Sequence, residues 1–140
     1  MLLQYATTDA EILACFPPLK VLRPHLEEAE LVPRIRRQLE QGYHLVYRAT
    51  DGQVHSVAGF RFHDTLAWGR ILYIDDLVTH PDSRGKGHAG ALLDAIIALA
   101  REQNCDAVHL DSGPQRHDAH RLYLNHGFRI GAHHFNCDLR

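Results

Sequence analysis

Cysteine is scarce here: three residues in 140 (Cys15, Cys105 and Cys137), far apart and with no CxxC pair. That excludes a disulfide frame and a cysteine zinc site, and reads as the reduced thiols of a cytoplasmic protein. Long hydrophobic runs are lacking too. None approaches the roughly 20 residues that a membrane span needs, and the opening "MLLQYATTDAE" turns polar too soon for a signal peptide, so no membrane partner is expected. Charge of one sign is missing: 15 Lys and Arg against 17 Asp and Glu leave −2, with no basic footprint for nucleic acid over the whole surface. Repeats, low-complexity tracts and linker-like stretches are absent, so residues 1–140 are expected to form one domain with one core. A hydrophobic share of 45% with 23% charged residues suits an ordinary globular chain.

The apolar pattern divides the chain into short elements. "LLQY" reads as a first strand. Thr8 with Glu11 has capping-box spacing, and the helix it opens should run to the "FPP" break at Pro17–Pro18. In "EEAELVPRIRRQLEQG", Leu31, Ile35 and Leu39 recur every four residues before Gly42, giving a second helix with a glycine stop. "YHLVYRA" and "VHSVAGFRF" flank Asp51–Gly52, a hairpin signal. The looser turn "HDTLAWG" leads to a long strand, "RILYIDDLVT". Ala89, Leu92, Leu93, Ile96, Ile97 and Ala100 make one apolar helical stripe ending near Asn104. "DAVHLDS" is a strand, "QRHDAHRLYLNHG" a helix closed by Gly127, and "FRIGAHHFNCDL" two final short strands. The expected order is β-α-α-β-β-β-α-β-α-β-β, a mixed α/β domain.

The segment "HPDSRGKGHAG", residues 80–90, lies between the long strand and the striped helix. The first turn of a helix leaves backbone N–H groups without intrahelical partners, and the helix dipole makes that end an anion site. Gly85 and Gly87 let the backbone turn, and Arg84 and Lys86 add positive charge. Several readings compete. The plainest is a tight basic turn that binds nothing, and the Walker pattern GxxxxGK[ST] is absent. The dinucleotide fingerprint GxGxxG is present as Gly85, Gly87 and Gly90, with Asp111 near the expected ribose-binding place. Against it, "THPDS" separates the loop from its strand, and antiparallel hairpins precede it.

The third reading rests on two sequence blocks. "ILYIDDLVTHPDSRGKGHAGALL" resembles motif A of the GNAT superfamily of N-acetyltransferases, Q/R-x-x-G-x-G/A, with Arg84, Gly87 and Ala89 in its defined positions. "AHRLYLNHGF" resembles the family's A-x-x-[FL]-Y-x-x-x-G-F, through Ala119, Leu122, Tyr123, Gly127 and Phe128. The likeness covers roughly residues 43–140. "SGPQRHDAHRLYLNHGF" is most similar to the branch containing aminoalkylphosphonate N-acetyltransferases. The resemblance implies a mostly antiparallel mixed sheet, splayed between its fourth and fifth strands and flanked by about four helices. It implies acetyl-CoA as cosubstrate, with its pantetheine arm along Leu77, Val78 and Thr79. The pyrophosphate would lie on the loop N–H groups of Arg84, Gly85, Lys86, Gly87, His88, Ala89 and Gly90. It implies direct attack by an amine on the thioester, with Tyr123 protonating the leaving sulfur. Arg116 stands where the family often has asparagine, either meeting cofactor phosphates or serving as a helix-surface charge. A homodimer is common in the family.

Asp75 and Asp76 are the candidates for the general base. Two carboxylates inside an apolar run are costly unless solvated or paired, which favours a cleft position or a salt bridge. Adjacent strand residues face opposite ways, so only one of the two is expected at a given site. Tyr73 occupies a common base position of the family, and a base acting through water stays open. No metal is expected. His117 and His120 share a helix face, with a metal or substrate role as the sharper reading and a surface role as the plainer one. His133 and His134 face opposite ways, and neither HExxH nor C/H spacing occurs. Lys20, Arg23 or His25 could meet an acidic substrate or simply be solvated. The acceptor is expected to be a small-molecule amine. A CoA-holding regulatory module is the alternative from another class.

Overall fold

The computed structural model describes residues 3–140, so Leu2 of the expected first strand lies outside the described residues. The chain divides into two compact units, one ending at Leu110 and one spanning Asp111–Arg140.

The first unit is a five-stranded sheet in sequential order: β1 (Gln4–Tyr5), β2 (His44–Thr50), β3 (Gln53–Thr65), β4 (Gly69–Thr79) and β5 (Ala107–Leu110). The first four strands pair antiparallel, and β5 joins β4 in parallel. The Asp51–Gly52 turn is a hairpin turn with both residues at positive φ, 51° and 80°, as a two-residue hairpin requires. Three helices precede β2: α1 (Asp9–Ala14), α2 (Phe16–Leu22) and α3 (Glu28–Glu40). Their apolar residues Ile12, Leu19, Leu31 and Ile35 pack with Tyr43, Leu45, Val57 and Val78 into one core. The register partners Val46, Ala58 and Leu77 alternate with those strand residues and belong to the other face. There α4 (His88–Glu102) packs on β3 and β4 with Leu92, Leu93 and Ile96 buried.

The capping box is present: Thr8 Oγ1 accepts from the Glu11 N–H at 3.2 Å while Glu11 accepts from the Thr8 N–H at 3.0 Å. The Pro17–Pro18 pair marks the expected break and does something more. The first helix does end just before it, at Ala14, but the pair also occupies the first turn of a separate helix, α2. Proline lacks only an N–H that the first turn leaves unpaired anyway, so it starts a helix as readily as it stops one. Among the described residues the count is therefore five helices rather than four, with a 3-10 turn at Pro81–Ser83.

The second unit contains α5 (His117–Asn125), closed by Gly127 at φ 87°. The two final strands expected in "FRIGAHHFNCDL" are not formed: residues 128–140 carry neither helix nor strand. Ile130, Phe135 and Leu139 are almost fully exposed. An alternating pattern makes a strand only where one face is buried, and this one buries neither.

Candidate active site

The pairing of β5 with β4 covers only Ile71–Ile74, whereas β4 continues to Thr79. Asp75 through Thr79 therefore run past the end of β5, whose four residues are all paired. Leu77 and Val78 are buried. The Thr79 hydroxyl and that of its register partner Ser56 are, among the described residues, buried without a hydrogen-bond partner. Such groups are rare and mark places where a polar ligand or water belongs.

Beyond Thr79 the chain makes the 3-10 turn, with the buried Ser83 hydroxyl 2.7 Å from His55 Nδ1. Gly85 and Gly87 then lie at φ 78° and 79°, a conformation that L side chains resist. A Cβ at either position would meet nothing within 4 Å, so the space beside them is open and the constraint is in the backbone. Gly87 is the N-cap of α4 and supplies no side-chain cap. The first-turn N–H groups of a 15-residue helix are thus left to another acceptor. Open left-handed glycines, an uncapped helix start and an unsatisfied hydroxyl at the strand end fit a phosphate-bearing cosubstrate such as acetyl-CoA. Arg84, Lys86, Ala89 and Gly90 complete the loop. His88 turns inward: its Nδ1 accepts from Arg48 Nε at 3.2 Å, and its ring stacks on His55 at 4.3 Å. Burial, then His55, Arg48 and Lys86, hold its pKa below the usual histidine value. The dinucleotide reading of Gly85, Gly87 and Gly90 is not sustained, because the sheet before the loop is antiparallel throughout and a 3-10 turn separates strand from loop.

The expectation for the acid pair is corrected by a β-bulge. Gly59 pairs with Asp76 and Phe60 with Ile74, which leaves Asp75 as the extra residue. The bulge brings both carboxylates to the face of α1–α3. Asp76 accepts from Tyr43 Oη at 2.7 Å on one oxygen and from Arg23 Nε at 3.0 Å on the other. Arg23 also donates to the Asp75 carbonyl at 2.9 Å. Asp75 takes Arg61 on its carboxylate, at 2.7 Å from Nη2 and 3.1 Å from Nε. Burial pushes the Asp75 pKa up, Arg61 pulls against it, and the Asp76 charge pushes up again. The guanidinium of Arg61 lies 5.3 Å over the Tyr43 ring. Gly59 leaves room for that ring, since a Cβ there would overlap the Tyr43 hydroxyl.

Sequence reading missed Tyr43, Gly59 and Arg61. The usable signal was a glycine inside an otherwise apolar strand, which often marks a bulge or a close approach. Of the cations offered for an acidic substrate, Arg23 is paired with Asp76, and Lys20 donates to the Pro24 and Leu26 carbonyls at 2.6 and 2.7 Å.

In the second unit, Tyr123 is buried, with its ring 5.9 Å from Phe128. Burial raises its pKa, opposed by the charge of Arg116 and a hydrogen bond to it. The His117 and His120 rings lie 6.4 Å apart, edge to face. Among the described residues no group of three His, Cys, Asp or Glu could hold a metal, and no helix is long and apolar enough to cross a membrane.

Comparison with known proteins converges on one family. The profile of the Acetyltransferase (GNAT) family matches residues 9–128. The N-acetyltransferase YhdJ of Bacillus subtilis (strain 168), itself uncharacterized, is 29% identical over 131 residues, covering 92% of each chain. A GNAT family acetyltransferase of Staphylococcus aureus superposes with a TM-score of 0.82 at 19% identity, over 99% of this chain and 98% of that one. The aminoglycoside N-acetyltransferase AAC(6')-Iy in complex with CoA does so at 0.83 and 14%, over 99% and 94%. At these identities the structures speak to the fold.

Proposed function

Because the chain belongs to the acetyltransferase (GNAT) family, and is an N-acetyltransferase using acetyl-CoA, we propose that its acceptor is a small-molecule primary amine that attacks the thioester directly. The observation that carries the acetyl-CoA part of this reading is the run of β4 beyond the end of β5 into left-handed glycines and an uncapped helix start. Leu77, Val78 and Thr79 would line the pantetheine arm. The N–H groups of Arg84, Gly85, Lys86, Gly87, His88, Ala89 and Gly90 would meet the pyrophosphate.

A neutral amine is already a good nucleophile. The protein needs to hold it near the acetyl carbonyl, take one proton and return one. The C–N bond forms, and the electron pair of the broken C–S bond leaves on sulfur. The nitrogen carries a positive charge after attack, so its proton is acidic enough for a carboxylate. Asp75 and Asp76 are the carboxylates offered. Tyr123 would protonate the sulfur, and its raised pKa keeps it a phenol at neutral pH. Arg116, hydrogen-bonded to Tyr123, would tune that donor and could also meet the cofactor's phosphates.

CoA release across an amine panel tests the acceptor class. The panel should hold aminoalkylphosphonates, suggested by the block around Arg116–Phe128, with aminoglycosides, polyamines and peptide N-termini. Turnover with a small amine is expected, and Tyr123→Phe should lower kcat about 100-fold, the usual weight of a general acid. Turnover with peptides alone would overturn the small-molecule assignment.

A further inference from the structure

The two carboxylates at the bulge are not equivalent. Asp76 has both oxygens engaged, by Tyr43 Oη and by Arg23, and its side chain is 16% exposed. It ties the end of α2 and the start of β2 to the middle of β4 through donors from two residues on two different elements. Asp75 is engaged by one residue only, the Arg61 guanidinium, and is 23% exposed. A fork-to-fork Arg–carboxylate pair fixes the plane of the acid while leaving outward lone pairs open. Two further contacts hold the pair. Arg61 rests over the Tyr43 ring, and Arg23 grips the Asp75 carbonyl, so the bulge cannot swing.

We propose that Asp75, rather than Asp76, receives the proton of the acceptor nitrogen, and that Arg61 is the positioning residue that aims it. This rests on the amine-acetylation reading above. The proton passes from the nitrogen of the tetrahedral adduct to Asp75 Oδ, while the C–S electron pair departs with sulfur. Arg61 stays protonated throughout.

The electrostatics give Arg61 a readout that a merely structural residue would lack. The charged and titratable groups facing Asp75 are Arg61 and His63 of β3, Asp76 of β4, Arg23 after α2 and Tyr43 before β2. Burial and Asp76 push its pKa up, and Arg61 is the main opposing influence. Without Arg61 the carboxylate should hold its proton to higher pH. Activity needs Asp75 ionised, so it is lost as pH falls through that pKa.

The experiment is the pH profile of kcat/KM with the best amine found. Deprotonation of the amine alone gives a log–log slope of one, and titration of Asp75 steepens it to two below a break point. In Arg61→Met the break should move to higher pH, and Arg61→Lys should bring it back part of the way. In Asp75→Asn the break should vanish, with kcat/KM down about 100-fold. Asp76→Asn should keep the break and lose thermal stability instead. A break unmoved in Arg61→Met, or one that vanishes in Asp76→Asn, would overturn the assignment. Calorimetry with acetyl-CoA on the same proteins separates the two levels. If wild type binds it and Asp75→Asn keeps full turnover, this inference fails alone. If wild type does not bind it, the acetylation reading fails and takes this assignment with it.

Discussion

The bulge at Asp75 and the loop after Thr79 lie a few residues apart on one strand and are built in opposite ways. The bulge is crowded with side chains: two arginines, two aspartates and a tyrosine satisfy one another. The loop is bare backbone, with two left-handed glycines and no side-chain cap on the helix it opens. The bulge is closed by its own side chains except for the outward lone pairs of Asp75, and the loop has backbone donors left for a ligand. The packing residues around the bulge, Gly59, Tyr43 and Asp76, should therefore fail through folding, and the loop through binding.

The sharpest break in that comparison is at Gly59. A methyl group there would overlap the Tyr43 hydroxyl, and a close-packed core has little room to yield. Gly59→Ala should cost about 3 kcal/mol, at the upper end for overpacking, read by urea denaturation. A cost near zero would mean that Tyr43 is not pinned. Tyr43→Phe is gentler. It removes the donor to Asp76 in a part-buried site, for about 1–2 kcal/mol, measured as a lowered Tm. The smallest effect lies outside both regions and serves as their control. Glu11 is held down to about 2 from 4.5, first by the Thr8 backbone N–H and then by its hydroxyl. Its folded pKa is depressed, so its contribution is present above about 4.5 and is lost as pH falls toward 2. Thr8→Ala should lower stability at neutral pH by about 1 kcal/mol, narrow that acid-side loss, and leave acetyl-CoA binding unchanged.

The same contrast explains what was legible in the sequence. The loop was readable because its requirements are local: glycines for positive φ, cations beside them, and an apolar helix directly behind. The order of the elements through β5 was readable from periodicity and the Asp51–Gly52 turn. The bulge was not readable, because Arg23, Tyr43, Gly59 and Arg61 come from scattered elements and meet only after folding. Strict alternation even pointed the wrong way, sending Asp75 and Asp76 to opposite faces until one extra residue brought them together. Pro17 and Pro18 marked the end of α1 but not the start of α2, because proline serves a helix start as well as a stop. The tail misled because alternation in Ile130–Leu139 carries no information about whether a partner surface exists.

The central claim is that the Gly85–Gly90 loop holds the acetyl donor. Its most direct test is calorimetric titration of acetyl-CoA into wild type and Gly87→Val, with the Tm of each recorded. At φ 79° a β-branched residue should distort the loop while leaving the core intact. The account predicts saturable binding by wild type, and at least about tenfold weaker binding by the variant, about 1.4 kcal/mol, at nearly unchanged Tm. No binding by wild type at millimolar acetyl-CoA, or equal binding by both proteins, would contradict it.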